Sequence, residues 1–174
     1  RPDALHNTWT PIVYKGDGSG GGGRAFSIWI NSSLSVNTSG ARATGVSESL
    51  TSASGQVALG EWNHIAAVYD RETGRQTLYV NGVEVASRTM STLSGLFTAQ
   101  PILLGWTTED NNSYGAFEGA MGEFRLWSGV RTAEEIAAAY TGGLTGDEEN
   151  LILWLPLGAD SDAPLADPRA GGRE

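Results

Sequence analysis

Glu61-Trp62-Asn63-His64-Ile65-Ala66-Ala67-Val68-Tyr69-Asp70, followed after a short break by Gln76-Thr77-Leu78-Tyr79-Val80-Asn81-Gly82, is the stretch that decides the fold. Trp62 and residues 64–69 predict one strand, 76–80 a second and 83–88 a third, because each run is short, rich in β-branched and aromatic side chains, and bounded by turn residues. Asp70-Arg71-Glu72-Thr73-Gly74 closes the first hairpin. Asn81-Gly82 closes the second, since both positions accept the positive φ that a two-residue hairpin turn demands. A β-meander follows from these signals.

The same alternation extends outward in both directions. Residues 10–15 (Thr-Pro-Ile-Val-Tyr-Lys) and 24–31 (Arg-Ala-Phe-Ser-Ile-Trp-Ile-Asn) alternate as half-buried strands do. Between them, Gly16-Asp17-Gly18-Ser19 and Gly20 to Gly23 have almost nothing to pack and predict a mobile hairpin loop. Weaker strands are expected at 41–46 and 55–59, with Val46, Val57 and Leu59 facing inward. Residues 101–106 predict a buried strand, 107–115 a polar loop and 117–127 a further alternating run. Thr132 and Glu135 have capping-box spacing, 133–140 are good helix formers, and Gly142-Gly143 stops them. Leu151-Ile152-Leu153-Trp154-Leu155 is a last apolar strand ended by Pro156. Trp62, Trp127 and Trp154 are expected in the core. His64, with no second histidine close in sequence, is expected to be a hydrogen-bonded structural residue.

Composition agrees with an all-β chain. Twenty-four glycines in 174 residues suit many strands joined by tight turns, and the length suits one domain, expected at 1–157 with a tail at 158–174. Eleven Lys and Arg against twenty Asp and Glu give a net charge of −9, which repels nucleic acid and anionic membranes. Absence of cysteine excludes disulfides and thiolate chemistry. No apolar run reaches the roughly 20 residues of a membrane span. The opening Arg1-Pro2-Asp3 has no initiator Met or signal peptide and reads as part of a longer or processed product.

The phrase Trp62-Asn63-His64-Ile65-Ala66-Ala67-Val68-Tyr69-Asp70, then Leu78-Tyr79-Val80-Asn81-Gly82, resembles the laminin-G-like, pentraxin-like domains of the concanavalin A-like lectin/glucanase superfamily. A second block agrees: Ile102-Leu103-Leu104-Gly105, Phe117-Glu118-Gly119, Gly122-Glu123-Phe124-Arg125-Leu126-Trp127 and Thr132-Ala133-Glu134-Glu135-Ile136. The resemblance covers roughly residues 10 to 157. It implies a two-sheet antiparallel jelly-roll sandwich with one short helix near the C-terminal end. It also implies two further strands ahead of Arg1, so pairing with a strand-donating partner segment, or self-association, is expected.

Chemistry points to binding. The opposed carboxylates of glycoside hydrolases, often spaced Glu-x-Asp-x-x-Glu on one strand, are missing. Glu118 and Glu123 have opposite parity and fall on opposite faces unless a bulge intervenes. The resemblance places calcium ligands at Asp17 and in Thr108-Glu109-Asp110, where hard oxygen donors would converge. Trp106 and Tyr114 flank that loop and, with Asn111 and Asn112, compose a ring face beside amides of the kind that holds sugars. The resulting expectation is a non-catalytic extracellular or cell-surface recognition and adhesion module, calcium-assisted, for carbohydrate or an extracellular protein. Two rival readings are a structural spacer completed by strand donation and a degenerate hydrolase-like domain.

Overall fold

The computed structural model describes residues 1–19, 23–42, 46–90 and 99–157. The expected tail at 158–174 and the centre of the glycine loop at 20–22 lie outside the described residues. The described chain forms twelve strands and one helix: β1 (Pro2–Ala4), β2 (Trp9–Gly16), β3 (Arg24–Asn31), β4 (Val36–Arg42), β5 (Val46–Thr51), β6 (Ile65–Tyr69), β7 (Arg75–Val80), β8 (Val83–Thr89), β9 (Leu103–Leu104), β10 (Glu118–Gly119), β11 (Glu123–Trp127), α1 (Ala133–Thr141) and β12 (Leu151–Pro156). One layer is a five-stranded antiparallel sheet in the order β5-β4-β3-β2-β9. Facing it is the meander β6-β7-β8, and the pairs β11-β12 and β1-β10 form separate two-stranded sheets.

Burial explains the arrangement. Leu78 and Val80 of β7 pack with Ile30, Val36 and Leu50 of the five-stranded sheet, and Val57 and Met90 close the ends. β7 lies between two neighbours and is buried from Gln76 to Val80, whereas β6, an outer strand, is half-buried along its whole length. The Asn81-Gly82 turn has φ values of 51° and 79°, the left-handed pair required by a two-residue hairpin.

Several expectations need correction. Of the weak strand expected at 41–46, residues 41 and 42 end β4, Val46 begins β5, and 43–45 lie outside the described residues. Residues 55–59 form no strand: Val57 is buried as expected, but Leu59 is exposed. The run at 101–106 pairs only through Leu103 and Leu104. Trp62 is 58% exposed instead of buried, leaning over Gly122. Trp127 and Trp154 are half-buried, with the Arg131 guanidinium 4.3 Å from the Trp127 ring. The fully buried tryptophan is Trp29, at 1% exposure. Alternation says which residues share a face but leaves open which face is covered, so a tryptophan's size alone could not place it.

The helix follows its sequence closely. Thr132 Oγ1 accepts from the Glu135 amide at 3.2 Å and Glu135 Oε2 accepts from the Thr132 amide at 2.8 Å, which completes the capping box. Thr132→Ala is expected to cost about 1 kcal/mol in urea unfolding, because it strips a donor of the first turn of its acceptor. A loss below a few tenths would mean that α1 is held by its tertiary contacts, among them Ile136 and Tyr140, rather than by its cap.

Candidate functional site

At one end of the five-stranded sheet a bulge reorganises the outer face. Gly16 pairs with Arg24 and Lys15 with Phe26, so Ala25 is an extra residue on β3. A bulge shifts side-chain parity by one, and Arg24 therefore joins Ser27 and Trp29 on a face that strict alternation denies it. Its guanidinium lies 4.8 Å from the Trp29 ring and 5.9 Å from the Tyr114 ring. The fork Nε and Nη2 donates to both carboxylate oxygens of Glu109, each at 2.6 Å. Nη2 also donates to Tyr114 Oη at 3.0 Å and Nη1 to Ser39 Oγ at 3.1 Å.

The pair is well shielded, with 13% of the Arg24 side chain and 4% of the Glu109 side chain exposed. Desolvation pushes the Arg24 pKa down, but the Glu109 hydrogen bonds and charge outweigh it, so the net shift is upward and the charge is retained. Beneath the guanidinium, Trp29 Nε1 donates to Ser27 Oγ at 2.8 Å, and its ring meets Tyr14 edge-on at 6.2 Å and Tyr114 at 4.9 Å. This cluster ties the 106–115 loop to the sheet. The Trp9 amide donates to the Ser113 carbonyl, the Gly115 amide to the Trp9 carbonyl, and Asn7 Nδ2 to the Tyr114 carbonyl at 2.7 Å.

The residues singled out in the sequence fall at this end and divide into two groups. Trp106 is 56% exposed, and Thr108, Asp110, Asn111 and Asn112 are exposed. Asn111 Oδ1 accepts from the Ser113 amide at 2.8 Å, an Asx turn that stiffens the loop tip. Tyr114 is half-buried on Trp29 and braces the loop from below. The glycine loop arrives alongside: a Cβ added at Gly18 would sit 3.3 Å from the Thr108 carbonyl and hydroxyl oxygens. Asp17 Oδ1 accepts from the Ser19 amide at 2.9 Å and its hydroxyl at 2.5 Å, and these bonds lower the Asp17 pKa. The expected calcium set does not fit this arrangement as it stands, because both oxygens of Glu109 are occupied by a cation. Among the described residues no three His, Cys, Asp or Glu side chains group as metal ligands do.

Elsewhere, Glu123 is held by Arg125 at 2.6 and 2.8 Å and Glu118 by His6 at 2.6 Å, on different sheets. His64 departs from its expectation. Its ring stacks near Tyr140 at 5.7 Å, and its buried Nδ1 has no hydrogen-bond partner among the described residues. No helix among the described residues is long and apolar enough to cross a membrane.

The Arg24-Glu109-Trp29-Tyr114 cluster was not legible in the sequence. Arg24 and Glu109 are 85 positions apart, and the bulge that turns Arg24 toward Trp29 has no marker beyond the glycines preceding it.

Known proteins share this architecture. A protein from Bacteroides ovatus ATCC 8483, provisionally named a carbohydrate binding protein, superposes with a TM-score of 0.70 at 20% identity, over 91% of this chain and 44% of its own. The CBM40 of the Ruminococcus gnavus IT-sialidase superposes at 0.65 with 20% identity, over 80% of this chain and 78% of its own. "Female protein" of Nothocricetulus migratorius is 27% identical over 101 residues, 54% of this chain and 42% of its length. The chain thus spans less than half the length of the Bacteroides and Nothocricetulus proteins. Residues 1–137 match the family described as the concanavalin A-like lectin/glucanases superfamily. That match covers most of the chain and agrees with its antiparallel sandwich, so the chain belongs to the concanavalin A-like lectin/glucanases superfamily.

Proposed function

We propose that this chain is a non-catalytic carbohydrate-binding module of an extracellular or surface-displayed protein, and that its 106–112 loop makes the contact. The observation that carries the reading is the bracing of that loop. An exposed Trp106 ring and the exposed Asp110, Asn111 and Asn112 are presented at one end of the sandwich by a loop pinned from beneath through Arg24, Glu109, Trp29 and Tyr114. Sugars offer apolar ring faces and equatorial hydroxyls, so one aromatic face beside amide and carboxylate groups is the complementary chemistry. Holding the loop before binding reduces the ordering cost of association.

Support also comes from two structural neighbours named for carbohydrate binding, one of them also solved with α2,3-sialyllactose. Glu118 and Glu123, bonded to His6 and Arg125 on different sheets, favour binding over hydrolysis.

Trp106→Ala is expected to weaken glycan binding at least ten-fold while shifting stability by less than about 0.5 kcal/mol, because more than half of the residue's surface is exposed. Immobilised glycans probed with wild-type and variant protein give the first quantity, and thermal unfolding gives the second. Equal binding by both proteins would remove the loop from the site. Repeating the measurement with a chelator reads whether calcium takes part.

A further inference from the structure

A sugar that carries a carboxylate is recognised best by a guanidinium fork, whose parallel N–H donors match the two oxygens. Arg24 is the cation bonded to the 106–115 loop, and its fork is already filled. Nε and Nη2 donate to Glu109, Nη1 to Ser39 and Nη2 also to Tyr114, while the Trp29 and Tyr114 rings lie against the guanidinium. With 13% of the Arg24 side chain exposed, an incoming anion would have to expel Glu109 and strand that carboxylate, 4% exposed, without a cation. Glu109 thus occupies the place that a ligand's carboxylate would take. Lys15 and Arg71 line the apolar cleft bounded by β6 and β11 over the inner face of β3, on the far side of the sheet from Trp29.

In place of a cation the site offers acceptors. Asp110 is exposed on the loop. Asp17 arrives from the glycine loop, because Gly18, with φ at 84°, brings its backbone against Thr108 and donates its amide to Tyr14 Oη at 3.2 Å. A side chain at Gly18 would strain that φ and crowd the Thr108 oxygens. The Ser19 hydroxyl and amide hold the Asp17 carboxyl below its usual range, so it is charged at neutral pH. Carboxylates accept hydrogen bonds and never donate them. They therefore suit the hydroxyls of a sugar and repel a second anion.

We infer that the site takes uncharged glycans and rejects acidic ones, and that Glu109 sets this selectivity by filling the Arg24 fork while Asp110 and Asp17 accept from sugar hydroxyls. The inference rests on the reading that the 106–112 loop makes the contact. Glu109 is then a specificity-determining residue that acts through Arg24 and does not itself touch the ligand. The net charge of −9 pushes in the same direction. Its reach, however, shrinks with the Debye length, from about 8 Å at physiological ionic strength to about 3 Å at 1 M. A fork occupied by a buried partner stays occupied at either salt, because such pairs are screened far less.

The test measures binding of the whole chain, with a chelator present, to immobilised matched pairs: lactose against sialyllactose, and methyl-esterified against free polygalacturonate. The neutral member of each pair is expected to bind at least ten-fold tighter, at about 0.15 M salt and again at about 1 M. Glu109→Gln, which leaves the Arg24 charge uncompensated, is expected to raise the acidic-to-neutral binding ratio about ten-fold, with thermal unfolding checking that the variant folds. Arg24→Met with Glu109→Leu, which removes both charges, is expected to keep the wild-type ratio. Asp110→Asn, at an exposed position, is expected to raise the ratio about three-fold. Wild-type preference for the acidic members, selectivity that vanishes at high salt, or a ratio unmoved by Glu109→Gln in a folded protein overturns the proposal. If Glu109→Gln does not fold, Asp110→Asn decides, and an unmoved ratio overturns it. Absence of binding to every probe, neutral and acidic, would instead overturn the reading of the loop as a glycan site, and this inference with it.

Discussion

Arg24→Ala is expected to destabilise the domain by about 3–5 kcal/mol, a large share of the 5–15 kcal/mol that holds typical domains folded. The loss comes from what remains behind. Glu109, with 4% of its side chain exposed, would keep a desolvated carboxylate whose two hydrogen bonds to the guanidinium are gone. Tyr114 Oη and Ser39 Oγ lose the same donor group. A double variant, Arg24→Met with Glu109→Leu, is expected to recover most of the loss, since replacing both members of a buried pair by apolar side chains of similar volume is often close to neutral. Urea midpoints for the three proteins decide the matter. A single variant within 1 kcal/mol of wild type would mean that water already reaches the pair and that it does not hold the loop.

The pair's second consequence is on binding. Without the fork on Glu109, the 106–115 loop keeps its attachment to Trp9, Asn7 and the Trp29 ring but loses its ionic tie to β3. The double variant, with its stability restored, therefore separates folding from recognition: normal unfolding with weakened glycan binding is the expected combination.

Trp29→Ala is the other large effect, again about 3–5 kcal/mol, because a side chain at 1% exposure leaves a cavity that its neighbours fill only in part. Tyr14, Tyr114 and the Arg24 guanidinium all rest on that ring. Arg24 and Trp29 share partners, so the double variant should lose less than the sum of the two singles. Additivity within about 0.5 kcal/mol would show that the cation contributes nothing through the ring. Trp62→Ala is the internal contrast: at 58% exposure, the same substitution should cost far less.

Much of the sandwich was legible because its signals are local. Local patterning placed β2, β3, β7 and β8 within a residue and β6 apart from its first residue Trp62, which lies ahead of the strand; Asn81-Gly82 specified its hairpin, and Thr132 with Glu135 placed the start of α1. Local signals failed where side-chain identity is neutral. In the Ser/Thr-rich stretch from 36 to 51, strands form because β3 offers an edge to pair with, and polar hydroxyls then bond across the sheet, as Ser27 does with Ser39. The candidate site was half legible: the exposed ring and amides of the 106–112 loop stood out in the sequence, while their support did not.

By itself the sequence determined the all-β class, the hairpins, the helix cap and the polar loop beside Trp106, since each depends on neighbours within a few positions. Tertiary structure alone decided that Trp29 is covered and Trp62 is not, that Glu109 serves Arg24, and that β6 and β11 face each other across an apolar trough. Those outcomes depend on a bulge at Ala25 and on contacts between residues far apart in the chain, where face and partner are set by how whole sheets stack.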